Sequence, residues 1–131
     1  MIITELNGTI INTKEVYLHD DILVLMKFDR NSKKLELLFR EYGTSKTYTM
    51  IFYDVIGFEM TNCDYFGESE RLLDFSYIEP NERNLIPKLH DKGSSFEFSP
   101  ICDYDSYIET LLTFCSCDEL RIACKSIEFN K

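Results

Sequence analysis

Between Ile22 and Tyr42 the sequence alternates with a period of two on both sides of a polar break, and no other stretch constrains the fold as strongly. Ile22, Val24, Met26 and Phe28 alternate with their neighbours; Asp29-Arg30-Asn31-Ser32-Lys33-Lys34 follows; then Leu35, Leu37 and Phe39 alternate with Glu36, Leu38 and Arg40. Successive strand side chains point to opposite faces, so this pattern predicts a β-hairpin with one apolar face. The charged face of the second strand suits an antiparallel sheet that a core covers on one side only.

The strand reading extends along the chain. Beyond Gly43-Thr44-Ser45, the Thr, Tyr, Ile and Phe of Thr47 to Phe52 fit a pleated surface. Val55, Ile56, Phe58 and Met60 predict a further short strand, with Gly57 expected to mark a bulge. Leu72 to Ile78 reads as another strand, whereas Pro80, Pro87 and Asp91-Lys92-Gly93-Ser94-Ser95 predict connection or edge, because proline lacks the amide donor of a central strand. Between Tyr107 and Phe129 two readings compete. Ile108, Leu111, Leu112 and Cys115 follow helical spacing behind Asp105 or Ser106, but the β-branched and aromatic content of Tyr107 to Phe114 and the alternation of Leu120, Ile122 and Cys124 favour a hairpin across Ser116-Cys117-Asp118-Glu119. The expected fold is mainly β: an antiparallel meander forming a sandwich or roll, with little helix, as a single domain over residues 1–131.

Composition narrows the partners. Fourteen basic against twenty-three acidic side chains give a net charge of -9, which repels a phosphate backbone and predicts no nucleic-acid or anionic-membrane partner. The same excess attracts a basic protein. No apolar run approaches the length of a membrane span, Met1-Ile2-Ile3-Thr4-Glu5 has no basic region, and the five cysteines form no even framework; a cytoplasmic protein with reduced thiols is expected.

Motifs for chemistry are sparse. The two histidines stand in His19-Asp20 and His90-Asp91, a pairing common around metals. Turns also favour Asp, and His19-Asp20-Asp21 reads first as a turn feeding the strand at Ile22. Cys115, Cys117 and Cys124 lack the spacing and the fourth ligand of a structural zinc site. The scattered glycines form no phosphate cradle, and Asp103-Tyr104-Asp105-Ser106 lacks the glycine and terminal glutamate of a calcium loop. No cofactor is expected. A surface candidate remains: Asp64, Tyr65, Phe66 and Glu68 place two aromatics among acids, the composition of a protein-binding loop.

Leu18-His19-Asp20-Asp21 leading into a hairpin, Phe52-Tyr53-Asp54-Val55-Ile56-Gly57-Phe58-Glu59, and Asp118-Glu119-Leu120-Arg121-Ile122-Ala123-Cys124-Lys125 together resemble the YxiG-like family of small bacterial proteins. Where similar proteins carry Trp-Gly, this chain has Phe66-Gly67. The resemblance implies a β-rich fold and a protein-binding role of the toxin-immunity kind, and it brings no catalytic residue with it. The expectation is therefore a non-enzymatic binding module for a basic protein, with His19, Asp20, Asp21, Asp64, Tyr65, Phe66 and Glu68 as its binding residues. The rival is a small metal-dependent enzyme using His19, Asp20 and His90, with cysteines as further candidate ligands; an exposed strand edge also leaves room for a homo-oligomer.

Overall fold

The computed structural model describes residues 1–61, 71–97 and 106–131. Nine strands lie within them: β1 (Ile2–Thr4), β2 (Ile22–Asp29), β3 (Lys34–Arg40), β4 (Thr47–Tyr53), β5 (Gly57–Met60), β6 (Leu72–Tyr77), β7 (Ile108–Phe114), β8 (Glu119–Cys124) and β9 (Ser126–Phe129). One α-helix, α1 (Leu85–Ser95), and two 3-10 turns, Gly8–Asn12 and Pro80–Glu82, are the other elements among the described residues. The strands form a five-stranded sheet in the order β1-β9-β4-β3-β2 and a four-stranded sheet in the order β5-β8-β7-β6. Every pairing is antiparallel, as the alternating pattern predicts. Among the described residues no helix is long and apolar enough to cross a membrane.

Among the described residues the chain passes between the sheets twice side by side, from β4 to β5 and from β8 to β9, and pairing continues through the bend. Lys125 N–H donates to the Tyr53 carbonyl (3.1 Å) and Ile56 N–H to that of Ala123 (2.9 Å). Asp54, with φ at 51°, takes the left-handed conformation that Asp tolerates and re-aims the chain. At the other side of the molecule an isolated bridge between Ile22 and Arg71 ties the start of β2 to β6. The two sheets therefore wrap one core, to which β3 gives Leu35, Leu37 and Phe39, β4 Met50 and Phe52, and β8 Leu120 and Ile122.

The hairpin of β2 and β3 has the predicted strands but not the predicted inner row throughout. A bulge between Leu23 and Leu25 leaves Val24 as the extra residue and shifts the alternation by one. Leu23, Met26 and Phe28 pack on the core, while Val24 and Leu25 are exposed. Gly57, expected at a bulge, pairs regularly with Ala123. Its missing side chain serves packing: a Cβ there would lie 2.6 Å from Leu89 Cδ1 of α1.

The helix occupies part of the stretch expected as connection. Pro87 is its third residue, where a helical amide has no partner inside the helix, so proline costs little; the first internal bond runs from Lys88 N–H to the Asn84 carbonyl (3.0 Å). Asn84 makes no side-chain cap. Buried Glu109 of β7 caps the helix instead, accepting from Leu85 N–H (3.0 Å), Asn84 N–H (3.3 Å) and Arg121 Nη1 (2.8 Å). A carboxylate suits the positive end of the helix dipole.

Candidate functional site

A free strand edge exposes unpaired donors and acceptors, and the segment from Gly8 to Asp21 supplies partners to most of the edge of β6. Its 3-10 turn packs closely: a Cβ on Gly8 would come within 2.5 Å of the Tyr77 ring. Asn12 Oδ1 accepts from Tyr77 N–H (3.0 Å). At the other end Asp20 N–H donates to the Leu72 carbonyl and Leu72 N–H to that of Asp21, both at 2.8 Å. His19 Nδ1 lies 2.8 Å from the Leu73 carbonyl; facing a carbonyl oxygen, that nitrogen carries the proton. Between the Asn12 and His19 contacts the segment stands off from the strand and leaves a groove of about 440 Å³. Asn12, Val16, Tyr17 and His19 line one wall, and Leu73 to Ser76 line the other.

The predicted turn at His19-Asp20-Asp21 is present, closed by Asp21 N–H donating to the Leu18 carbonyl (3.0 Å), with Asp20 at φ 70°. This geometry sends the two carboxylates to different places. Asp20 faces outward, 3.6 Å from His19 Nε2 and 3.2 Å from Arg71 Nη2, and the Arg71 guanidinium lies over the Tyr42 ring at 5.1 Å. Asp21 turns inward and is buried. It accepts from Tyr48 Oη (2.6 Å), Lys131 Nζ (2.7 Å) and Tyr42 N–H (2.9 Å). Burial, followed by the bond to Asp21, pushes the Tyr48 phenol far above its ordinary range. Lys131 also donates to the Tyr17 carbonyl (2.8 Å), fixing the segment that walls the groove.

The remaining candidates are dispersed. His90 is exposed on α1, which packs against β5 and β8, whereas His19 is bonded to β6 at the opposite edge of the four-stranded sheet. Among the described residues no three His, Cys, Asp or Glu side chains converge as a metal site. Cys115 and Cys117 are exposed in the β7–β8 turn, and Cys124 is buried, its thiol pushed up to about 12 chiefly by desolvation. Arg83 is consumed structurally, donating to the carbonyls of Ile78 (3.2 Å) and Tyr107 (2.7 Å) and to Tyr77 Oη (2.9 Å). Asp64, Tyr65, Phe66 and Glu68 lie outside the described residues.

Of the predicted binding residues the structure thus brings His19 to the groove and Asp20 beside it, and places Asp21 in the core. Asn12, Tyr17 and Leu73 to Ser76 carry no motif; only the pairing of β6 with the N-terminal segment, fifty or more residues away in sequence, gathers them. No family model matches the chain, and no curated protein or solved structure matches it.

Proposed function

We propose that this chain is a non-enzymatic binding module for a basic protein, and that it acts as an immunity-type inhibitor covering a basic toxin domain, the form to which the YxiG-like resemblance points. The observation that carries the reading is the use of its polar side chains. Asp21, Glu109 and Arg83, the groups most removed from water or most heavily bonded, are each tied to backbone groups of the fold. His19 is held by a strand-edge carbonyl. Meanwhile Glu15, Asp54, Asp74, Glu79 and Glu82 are exposed on a chain of net charge -9, a surface that speeds encounter with a cationic partner and repels anionic ones.

The test is copurification with the product of the neighbouring gene, followed by association kinetics on the purified pair. A stoichiometric complex with a basic protein is expected, with an association rate that falls by about tenfold or more as salt rises from low to physiological strength. Failure to bind that product or any other basic protein, or stoichiometric bound metal with metal-dependent turnover, refutes the reading.

A further inference from the structure

The groove beside β6 contains an incomplete strand edge. In an antiparallel pair, residues alternate between those that exchange both main-chain bonds with the neighbouring strand and those whose N–H and C=O point the other way. Ile78 N–H donates to the Glu109 carbonyl of β7, and Tyr77 N–H turns away to Asn12. The register pairs Tyr77 with Thr110, Ser76 with Leu111 and Phe75 with Leu112. Ser76 therefore faces β7, and the N–H and C=O of Phe75, like those of Tyr77, point to the free side. The neighbouring steps of that edge each have a partner: Leu72 meets Asp20 and Asp21 through both its N–H and its carbonyl, the Leu73 carbonyl meets His19, and the Tyr77 N–H meets Asn12. Phase alone leaves Phe75 as the step that no group of the described residues meets, and Phe75 lines the groove.

We propose that this groove takes an extended segment of a partner polypeptide, whose central residue exchanges both main-chain bonds with Phe75. The inference rests on the binding-module reading and adds to it the site and the pattern recognised. Side chains of directly paired residues share a face. The residue opposite Phe75 turns its side chain to the apolar lining that Ile11 and Val16 provide, and favours a β-branched aliphatic group. Its two neighbours lie on the face of Asp74 and Ser76, where Ser76 Oγ donates to Asp74 Oδ2 and leaves the exposed carboxylate as the charged group. The pattern is basic-aliphatic-basic, in keeping with the net charge of -9. Exposed Tyr17 and Leu73 flank the entrance with apolar surface.

The experiment is amide chemical-shift mapping on the whole chain with three peptides: acetyl-Lys-Val-Lys-amide, the same peptide N-methylated at valine, and acetyl-Glu-Val-Glu-amide. The first should shift the amides of Phe75, Asp74, Leu73, Tyr77 and Asn12 with a Kd on the order of millimolar. N-methylation removes the donor to the Phe75 carbonyl and should weaken binding about tenfold, the equivalent of one lost hydrogen bond. The acidic peptide should bind at least about tenfold more weakly, and the exposed substitution Asp74→Lys should remove the preference for lysine. Absence of shifts with the first peptide, equal affinity of the N-methylated peptide, or shifts centred elsewhere overturns the inference. A protein partner that binds Asp74→Lys as tightly as the parent, and is not displaced by the first peptide, would leave the binding-module reading standing and remove the groove from it.

Discussion

Glu109 offers the sharpest test of how this fold holds its only α-helix among the described residues, because a single buried carboxylate serves three donors from two elements. Glu109→Ala would leave two helix-start amides without an acceptor; loss of a helix cap costs about 0.5–2 kcal/mol. It would also strand Arg121, whose side chain is 22% exposed; removing one partner of a buried pair costs about 3–5 kcal/mol, and this partly wetted arginine belongs at the lower end. Together about 4 kcal/mol is expected, a large share of a domain's stability of about 5–15 kcal/mol. In urea this is a midpoint lower by about 2 M for a slope near 2 kcal/mol per molar. Glu109→Gln keeps one oxygen for the helix but offers Arg121 a neutral group or an amide donor, and should cost about half as much. Arg121→Met alone leaves the carboxylate bonded to both amides and should cost less than Glu109→Ala, with a coupling between the two sites of about 1–3 kcal/mol in the double-mutant cycle. Hydrogen exchange at the first turn of α1 should accelerate in Glu109→Ala more than in Arg121→Met. A loss below about 1 kcal/mol for Glu109→Ala, or equal protection of the helix in all variants, would refute the capping argument.

Three further outcomes follow from the packing. The Thr110 hydroxyl is buried without a partner among the described residues; Thr110→Val should be neutral or stabilising by up to about 1–2 kcal/mol in urea titration, and a loss above about 1 kcal/mol would mean the hydroxyl has a partner. Gly8→Ala drives a Cβ to 2.5 Å from the rigid Tyr77 ring, while Gly57→Ala meets only the end of a leucine at 2.6 Å; thermal unfolding should show Gly8→Ala as the more damaging, by about 2–3 against about 1 kcal/mol, with Leu89→Ala easing only the second. For Cys124, the thiol is held up to about 12 from an ordinary value of 9.0, so between those pH values the unfolded chain releases a proton that the folded chain keeps, and stability falls as pH rises. One such group gives a slope approaching about 1.4 kcal/mol per pH unit. Cys124→Ala should flatten the fall between about pH 9 and 10, and in the native chain a thiol reagent should modify Cys115 and Cys117 but not Cys124 until unfolding.

What could be read in the sequence was the part set by local periodicity. The β2–β3 hairpin, β4, β6 and the β7–β8 hairpin all lie where alternation or β-branched content put them, because each buries one face against the same core. Val24 escaped because a bulge changes phase without changing composition. Helix α1 escaped because Pro87 and Gly93 resemble breakers and its cap stands 24 residues downstream on another element. The crossing from β8 to β9 at Lys125 was invisible too, since alternation runs through it while the chain changes sheets. At His19-Asp20-Asp21 the turn was legible, but the opposite fates of the two carboxylates depend on Arg71, Tyr48 and Lys131, which no local pattern connects to them.

The groove gains its significance from that same economy of edges. A sheet that closes around a core still has ends, and an unpaired edge invites association unless something covers it. Here the cover on β6 is assembled from side chains as well as backbone, Asn12 at one end and His19 at the other, and side-chain caps hold a single point where a strand would hold a row. Lys131 in turn holds the covering segment through the Tyr17 carbonyl and Asp21. A full extra strand in place of Gly8 to Asp21 would have met Phe75 as well and left no space beside it. Point contacts on either side leave one residue's donor and acceptor facing a cavity about the size that a short extended segment fills. The exposed carboxylate of Asp74 beside that step then favours a basic neighbour, so the net charge and the strand edge, independent as observations, select the same kind of partner.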